Sequence, residues 1–269
     1  MKTANIFPTP YLDINAILSE LLTRVHHILA DQFVGLYLHG SLASGDFNPQ
    51  TGDIDFLVVT DAGLPAEVFT ALREMHADLR ASNLPWAQKI EGAYLPKDDL
   101  RRHNPDSAPI PWLGVDGHFA CERLGSDWTI QRWILREKSL AVAGPPLKPL
   151  IDPVSADEIR EAVRANLRDW WTPPLPSPGR FESDEYQVYA VLTMCRSLYV
   201  LKHGMITSKP AAARWAQSAL SEPWVGLITA AAVWRPGMDF DRLNEMLKFI
   251  LFTLEQWGLP DREGTGETA

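Results

Sequence analysis

Two short apolar runs, over 34–38 and 54–59, are rich in β-branched and aromatic residues and flank a stretch dense in Gly, Ser, Asn and Pro. That pattern predicts two strands joined by a loop. Ahead of them Ile14, Ile17, Leu18, Leu21, Leu22, Val25 and Ile28 recur at three and four, which predicts a helix over 13–30 with Asp13 as its cap. Val68, Leu72, Met75 and Leu79 predict a second helix over 64–81. AQKIEGAYL predicts a third strand over 87–95, with Lys89, Glu91 and Ala93 on one face. The segment over 96–125 is rich in Pro and charge and predicts no regular structure. A helix over 128–140 follows, ended by the breakers Ala143-Gly144-Pro145-Pro146 and then Asp152-Pro153.

Past that point the pattern is helical throughout. Ser155, with Glu158 three residues on, is a capping box opening a helix to about 171. TPPLPSPG over 172–179 reads as a rigid loop, and helices are expected over 184–203, 210–220, 223–234 and 240–257. The last residues, DREGTGETA, read as frayed. The change of pattern places a domain boundary near 150, giving domains over 1–150 and 151–269. Trp170, Trp171, Trp215, Trp224, Trp234 and Trp257 all fall in the second half. Most read as packing; Trp170 and Trp171, before the Pro-rich loop, are candidates for a ligand wall.

Composition narrows the functional classes. With 269 residues, 46% apolar and 22% charged, the chain can bury a sizeable core. A formal net charge of −9 disfavours any extended nucleic-acid footprint and favours a small polycationic substrate in a carboxylate-lined cleft. Cys121 and Cys195 lie far apart with no metal-ligand spacing, the N-terminal MKTANIFPTPYLD lacks the apolar run of a signal peptide, and no 18-residue apolar run occurs. A cytoplasmic protein with reduced thiols, no membrane partner and a monomeric state is expected.

The candidate chemistry lies in the first loop. Asp53 and Asp55 are two apart at the mouth of a strand, so they share a face with Cα atoms about 6.6 Å apart. Two like charges so close find their relief in a shared hard cation such as Mg²⁺, which takes oxygen ligands and leaves positions open for phosphates. An acid pair alone is a common accident in a chain with 34 acidic residues. What changes its meaning is Gly40-Ser41 directly after the first strand, where a Gly allows close backbone approach and a hydroxyl with free N–H groups can cradle a phosphate. Glu91, inside the strand expected beside the Asp-bearing one, would either complete the metal site or act as general base toward a hydroxyl.

His39-Gly40-Ser41 followed by Gly52-Asp53-Ile54-Asp55 resembles the GS…DxD signature of the polymerase β-like nucleotidyltransferases. LAVAGPPLKPLIDPV, then RANLRDWWTPP, then SDEYQVYAVLTMCRSLYVLKHGMITSKPAAARWA are similar to the streptomycin and spectinomycin adenylyltransferases, over most of residues 30 to 260. That resemblance implies an α/β (α+β) N-terminal nucleotidyltransferase domain with a mixed sheet and an all-α C-terminal helical bundle. It implies an enzyme that moves AMP from ATP, with Mg²⁺, to a hydroxyl of an aminoglycoside or aminocyclitol antibiotic. By position it makes Asp53 and Asp55 the magnesium ligands and Glu91 the catalytic base. It brings Arg196 and Lys209 to the nucleotide phosphates, with closure of the helical domain. Asp184, Glu185 and one of Trp170 or Trp171 are placed near the drug. The chain departs from the family at Gly52, where Ser is usual, and across 96–125. Rival readings are adenylylation of another small molecule or a protein, and a silent nucleotide-binding module.

Overall fold

The computed structural model describes residues 8–104, 106–173, 175 and 178–256. Two compact units divide the chain, Met1–Val154 and Ser155–Ala269.

The first unit opens with α1 (Leu12–Leu29), one residue earlier than its predicted start; Tyr11 holds the N-cap position and Asp13 sits in the first turn without capping. A sheet follows, formed by β1 (Phe33–Leu38), β2 (Ile54–Thr60), β3 (Ile90–Pro96), β4 (Ile110–Leu113), β5 (Phe119–Glu122) and β6 (Leu140–Ala143), in the order β5-β4-β3-β2-β1-β6. Among the described residues only the β2–β3 pair is parallel, with α3 (Ala66–Ala81) as its crossover, so the sheet is mixed. Short helices α2 (Gly40–Ser44) and α4 (Lys97–Arg101) follow β1 and β3, and α5 (Trp128–Lys138) precedes β6. The stretch over 96–125 therefore corrects the expectation of irregular chain: it supplies α4, β4 and β5.

Alternation along the strands divides the core in two. Leu36, Leu38, Ile54, Phe56, Val58, Ile90 and Tyr94 pack with α1 and α3 on one side. Tyr37, Leu57, Val59, Ala93 and Leu95 pack with Leu100, Trp128, Leu135, Leu147 and Ile151 on the other.

The second unit is helical: α6 (Ala156–Asn166), a π-helical turn (Leu167–Trp171), α7 (Asp184–His203), α8 (Lys209–Ala219), α9 (Trp224–Val233) and α10 (Leu243–Glu255). The capping box at Ser155 forms, its hydroxyl accepting from the Glu158 N–H and the Glu158 carboxylate accepting from the Ser155 N–H. Ser183 and Ser208 cap α7 and α8 the same way from one side. Trp257, the tail over 261–269 and parts of the 172–179 loop lie outside the described residues. Among the described residues no helix is long and apolar enough to cross a membrane.

Candidate active site

The register of the strands brings the candidate acids to one face. Leu38 pairs with Phe56, so the next position, His39, lies opposite Asp55, and the His39 N–H donates to the Asp55 carbonyl at 3.1 Å. On the other side of β2, Asp55 pairs in parallel register with Glu91. Partners on neighbouring strands share a face, so His39, Asp55 and Glu91 form one transverse row over three strands, about 4.8 Å per step. The row continues the face of Tyr37, Leu57 and Ala93. Asp53, two residues before Asp55, adds a second carboxylate, and all four side chains are half-buried.

Two glycines make this approach possible. Gly40 has φ +63, a left-handed conformation, and a Cβ there would overlap the Asp55 carboxylate. Gly92 of β3 backs onto β2, where a Cβ would overlap the Phe56 carbonyl and ring. Ser41 stands half-buried in the turn that Gly40 opens, and its carbonyl accepts from the N–H of Asp46 at 3.1 Å. Gly52, where the resemblance leads one to expect Ser, lies against the loop: a Cβ would fall 2.6 Å from the Phe47 ring and 2.8 Å from the Asn48 carbonyl. The departure thus follows from Phe47, whose ring is itself held between Tyr11 and Trp86.

His39 is the residue of this row to which sequence reading gave no role, although alternation from Tyr37 places it on the carboxylate face. Burial pulls its pKa down to about 4, against the opposing pull of a hydrogen bond to the Phe56 carbonyl and of the Asp53 charge. The ring is therefore neutral at pH 7.

The donor set suits a hard cation: carboxylate oxygens, with no thiolate in the row. Among the described residues no group of three His, Cys, Asp or Glu side chains is arranged to hold a metal ion. A cation here would complete its shell with phosphate oxygens and water, which is how Mg²⁺ is usually held.

In the second unit the residues expected near nucleotide and drug divide. Arg196 is half-buried on α7, and Lys209 opens α8 with its Nζ 4.6 Å above the Tyr189 ring. The Asp184 carboxylate accepts from the backbone N–H groups of Phe240 at 3.1 Å and Asp241 at 3.3 Å, so it ties the start of α7 to that segment; Glu185 is exposed. Trp170 is 51% exposed, whereas Trp171 is 1% exposed, lies parallel to Phe181 and donates its Nε1–H to the Asn166 side chain at 3.1 Å. The expectation of a ligand wall is corrected for Trp171, which belongs to the core.

Both units have counterparts among known proteins. Residues 18–103 match the family described as nucleotidyltransferase domain, and residues 149–251 match the one described as aminoglycoside adenylyltransferase, C-terminal domain. An aminoglycoside (3'') (9) adenylyltransferase of Escherichia coli is 28% identical over 251 residues, covering 86% of this chain and 88% of its own. A spectinomycin 9-adenylyltransferase of Campylobacter jejuni is 27% identical, covering 79% and 82%. The crystal structure of a spectinomycin adenyltransferase from Enterococcus faecialis with ATP and spectinomycin superposes with a TM-score of 0.71 at 18% identity, over 89% of this chain and 98% of that one.

Proposed function

We propose, for a chain that belongs to the aminoglycoside adenylyltransferase family, that it transfers AMP from ATP to a hydroxyl of an aminoglycoside or aminocyclitol such as streptomycin or spectinomycin, releasing pyrophosphate. The observation that carries the reading is the parallel pairing of Asp55 with Glu91 beneath the His39-Gly40-Ser41 turn. It puts a candidate base one strand away from a candidate phosphate and cation site.

Glu91 takes the proton of the attacking hydroxyl as its oxygen bonds to the α-phosphorus. The bond from that phosphorus to the bridging oxygen of the pyrophosphate breaks in line. Ser41 and the backbone after Gly40 hold the phosphates close, since no Cβ stands in the way at Gly40. Asp53 and Asp55 would hold Mg²⁺, which when bound neutralises phosphate charge and polarises the phosphoryl oxygens. Arg196 and Lys209 are assigned to the remaining phosphate charge. Asp184, Glu185 and Trp170 are assigned to the cationic drug: acids attract its ammonium groups, and an exposed indole offers a face for stacking.

Mass spectrometry of streptomycin and spectinomycin after incubation with ATP and Mg²⁺ tests the reaction, the expected result being a gain of one AMP on at least one drug. Magnesium-dependent pyrophosphate release with no modified drug would move the assignment to another acceptor. Replacing Glu91→Ala should reduce turnover by about 10²- to 10⁴-fold while ATP still binds; wild-type rates in that variant would remove Glu91 from the chemistry.

A further inference from the structure

We infer that Tyr189 is a positioning residue whose ring holds the Lys209 ammonium in place before the nucleotide arrives, and so raises the affinity of the chain for the phosphates of ATP. The inference rests on the assignment of Lys209 to phosphate charge made above, and it extends that assignment to a residue with no task in it.

Lys209 is the first residue of α8, directly after the capping Ser208, and its Nζ lies 4.6 Å above the Tyr189 ring. That ring is itself held by its neighbours: its centroid lies 6.0 Å from that of Trp171 at an interplanar angle of 26°, and 5.5 Å from that of Tyr186. Trp171 is in turn fixed by its bond to Asn166 and by the parallel ring of Phe181. Tyr189 is 38% exposed and Lys209 is half-buried, so the pair lies at the surface of the helical unit, where an anion can reach it.

The helix carrying the ring also carries Arg196. Seven residues separate Tyr189 from Arg196 on α7, two turns less about 20°, so the two lie on one stripe of the helix about 10.5 Å apart along its axis. A lysine held over Tyr189 is thereby held over the stripe that bears Arg196, and two long basic side chains on one stripe can converge on one polyphosphate.

The chemistry of the ring suits this task. A carboxylate would hold an ammonium but cancel its charge, and a phosphate would then have to displace it. An aromatic face attracts the cation through its quadrupole, carries no net charge, and takes none of the N–H donors out of use for phosphate oxygens. Immobilising a long side chain on binding lowers affinity by about 2- to 10-fold, and a side chain ordered in advance escapes that loss.

The test measures binding of ATP with Mg²⁺ to the full chain by isothermal titration calorimetry, with thermal unfolding as the report on folding. Y189L is expected to weaken ATP by about 2- to 10-fold, and Y189F, which keeps the ring, to restore most of the affinity. Analogues of Y189F with one, two or three ring fluorines keep the shape and drain the face of negative charge, so ATP affinity should fall stepwise with each fluorine. A purely structural role would leave that series flat, and a flat series overturns the inference even where Y189L fails to fold. In a K209A background the gradient should vanish; a gradient that persists there means that the ring meets the nucleotide directly, which also overturns the inference. K209A alone separates the two levels. Weakened ATP binding in K209A beside a flat fluorine series refutes the role of Tyr189 and leaves Lys209 its phosphate, whereas wild-type ATP binding in K209A removes the assignment of Lys209 and the inference with it.

Discussion

On one side of β2, Ile54, Phe56 and Val58 are sealed under α1 and α3. On the other side Leu57 and Val59 are sealed, but the face then runs out into Asp53 and Asp55, with His39 and Glu91 on the neighbouring strands. Both sides obey one alternation and are bounded by the same backbone hydrogen bonds. Their difference shows where stability and chemistry separate in this unit. A continuous apolar face gains from every residue it buries, whereas like charges gathered on a strand are a local electrostatic cost that a bound cation would offset.

The contrast is broken most severely from the apolar side. Phe56 is fully buried, with its ring 5.8 Å from that of His76 and 6.1 Å from that of Tyr94. Phe56→Ala should cost about 3–5 kcal/mol of unfolding free energy in a denaturant titration, while the molecules that remain folded keep their reaction. One residue earlier, Asp55→Asn should do the opposite. It removes a like-charge repulsion, leaves stability within about 0.5 kcal/mol, and abolishes cation-dependent turnover. Equal stability losses in the two variants would remove the distinction between the faces.

Gly40→Ala is the next test and acts on the boundary between them. The left-handed φ and the overlap with the Asp55 carboxylate both oppose a side chain there. Displacing a reacting group by about 1 Å costs on the order of 10²-fold in rate. The variant should therefore lose about 10²-fold in kcat/KM with a modest loss of stability. A Gly40→Ala protein of normal activity would show that close packing of Gly40 on Asp55 is incidental.

How much of this could be read from residues alone depends on element length. β1, β2 and β3 carry six or seven residues of β-branched and aromatic character, enough for alternation to be visible, and the Asp-x-Asp pair follows from that alternation directly. The family resemblance and the mixed α/β fold were legible from the same stretch. β4, β5 and β6 have four residues each, and no period can be counted over four. β4 contains Pro111, and β6 follows α5 after a single residue, Ser139, so the breakers beyond it read as a helix end. In the helical unit the Ser155 capping box announced the first helix, because it acts through local bonds, whereas the caps Ser183 and Ser208 came to light only with the structure. Trp170 and Trp171 could not be told apart by composition: adjacent residues on a helical turn face directions about 100° apart, and only tertiary packing decides which is inside. His39 was hidden for a different reason, since a His before Gly-Ser has no meaning until the register of β1 on β2 is known.

The smallest expected effect concerns the apolar face itself, which holds one titratable pair. His76 is buried, its Nε2 lies 2.8 Å from the Tyr94 hydroxyl, and its Nδ1 is buried with no hydrogen-bond partner. Adding a proton would place an unpaired charge in the core, and burial accordingly pulls the His76 pKa down to about 3. In the unfolded chain the same ring titrates near 6.5. Between those values the unfolded state binds the extra proton and the folded state does not, so stability is full above about pH 6.5 and falls as pH drops toward 3. From pH 6.5 to pH 5 this one residue should remove about 1.5 kcal/mol. His39, also with a lowered pKa, adds a loss of the same sign. Denaturant unfolding followed from pH 7.5 to pH 5 should therefore show a shallower decline in H76L/Y94F than in wild type, with the remaining slope left to His39 and the carboxylates. Parallel slopes in the two proteins would mean that His76 takes up a proton in the folded state, and that the apolar face is less dry than its packing implies.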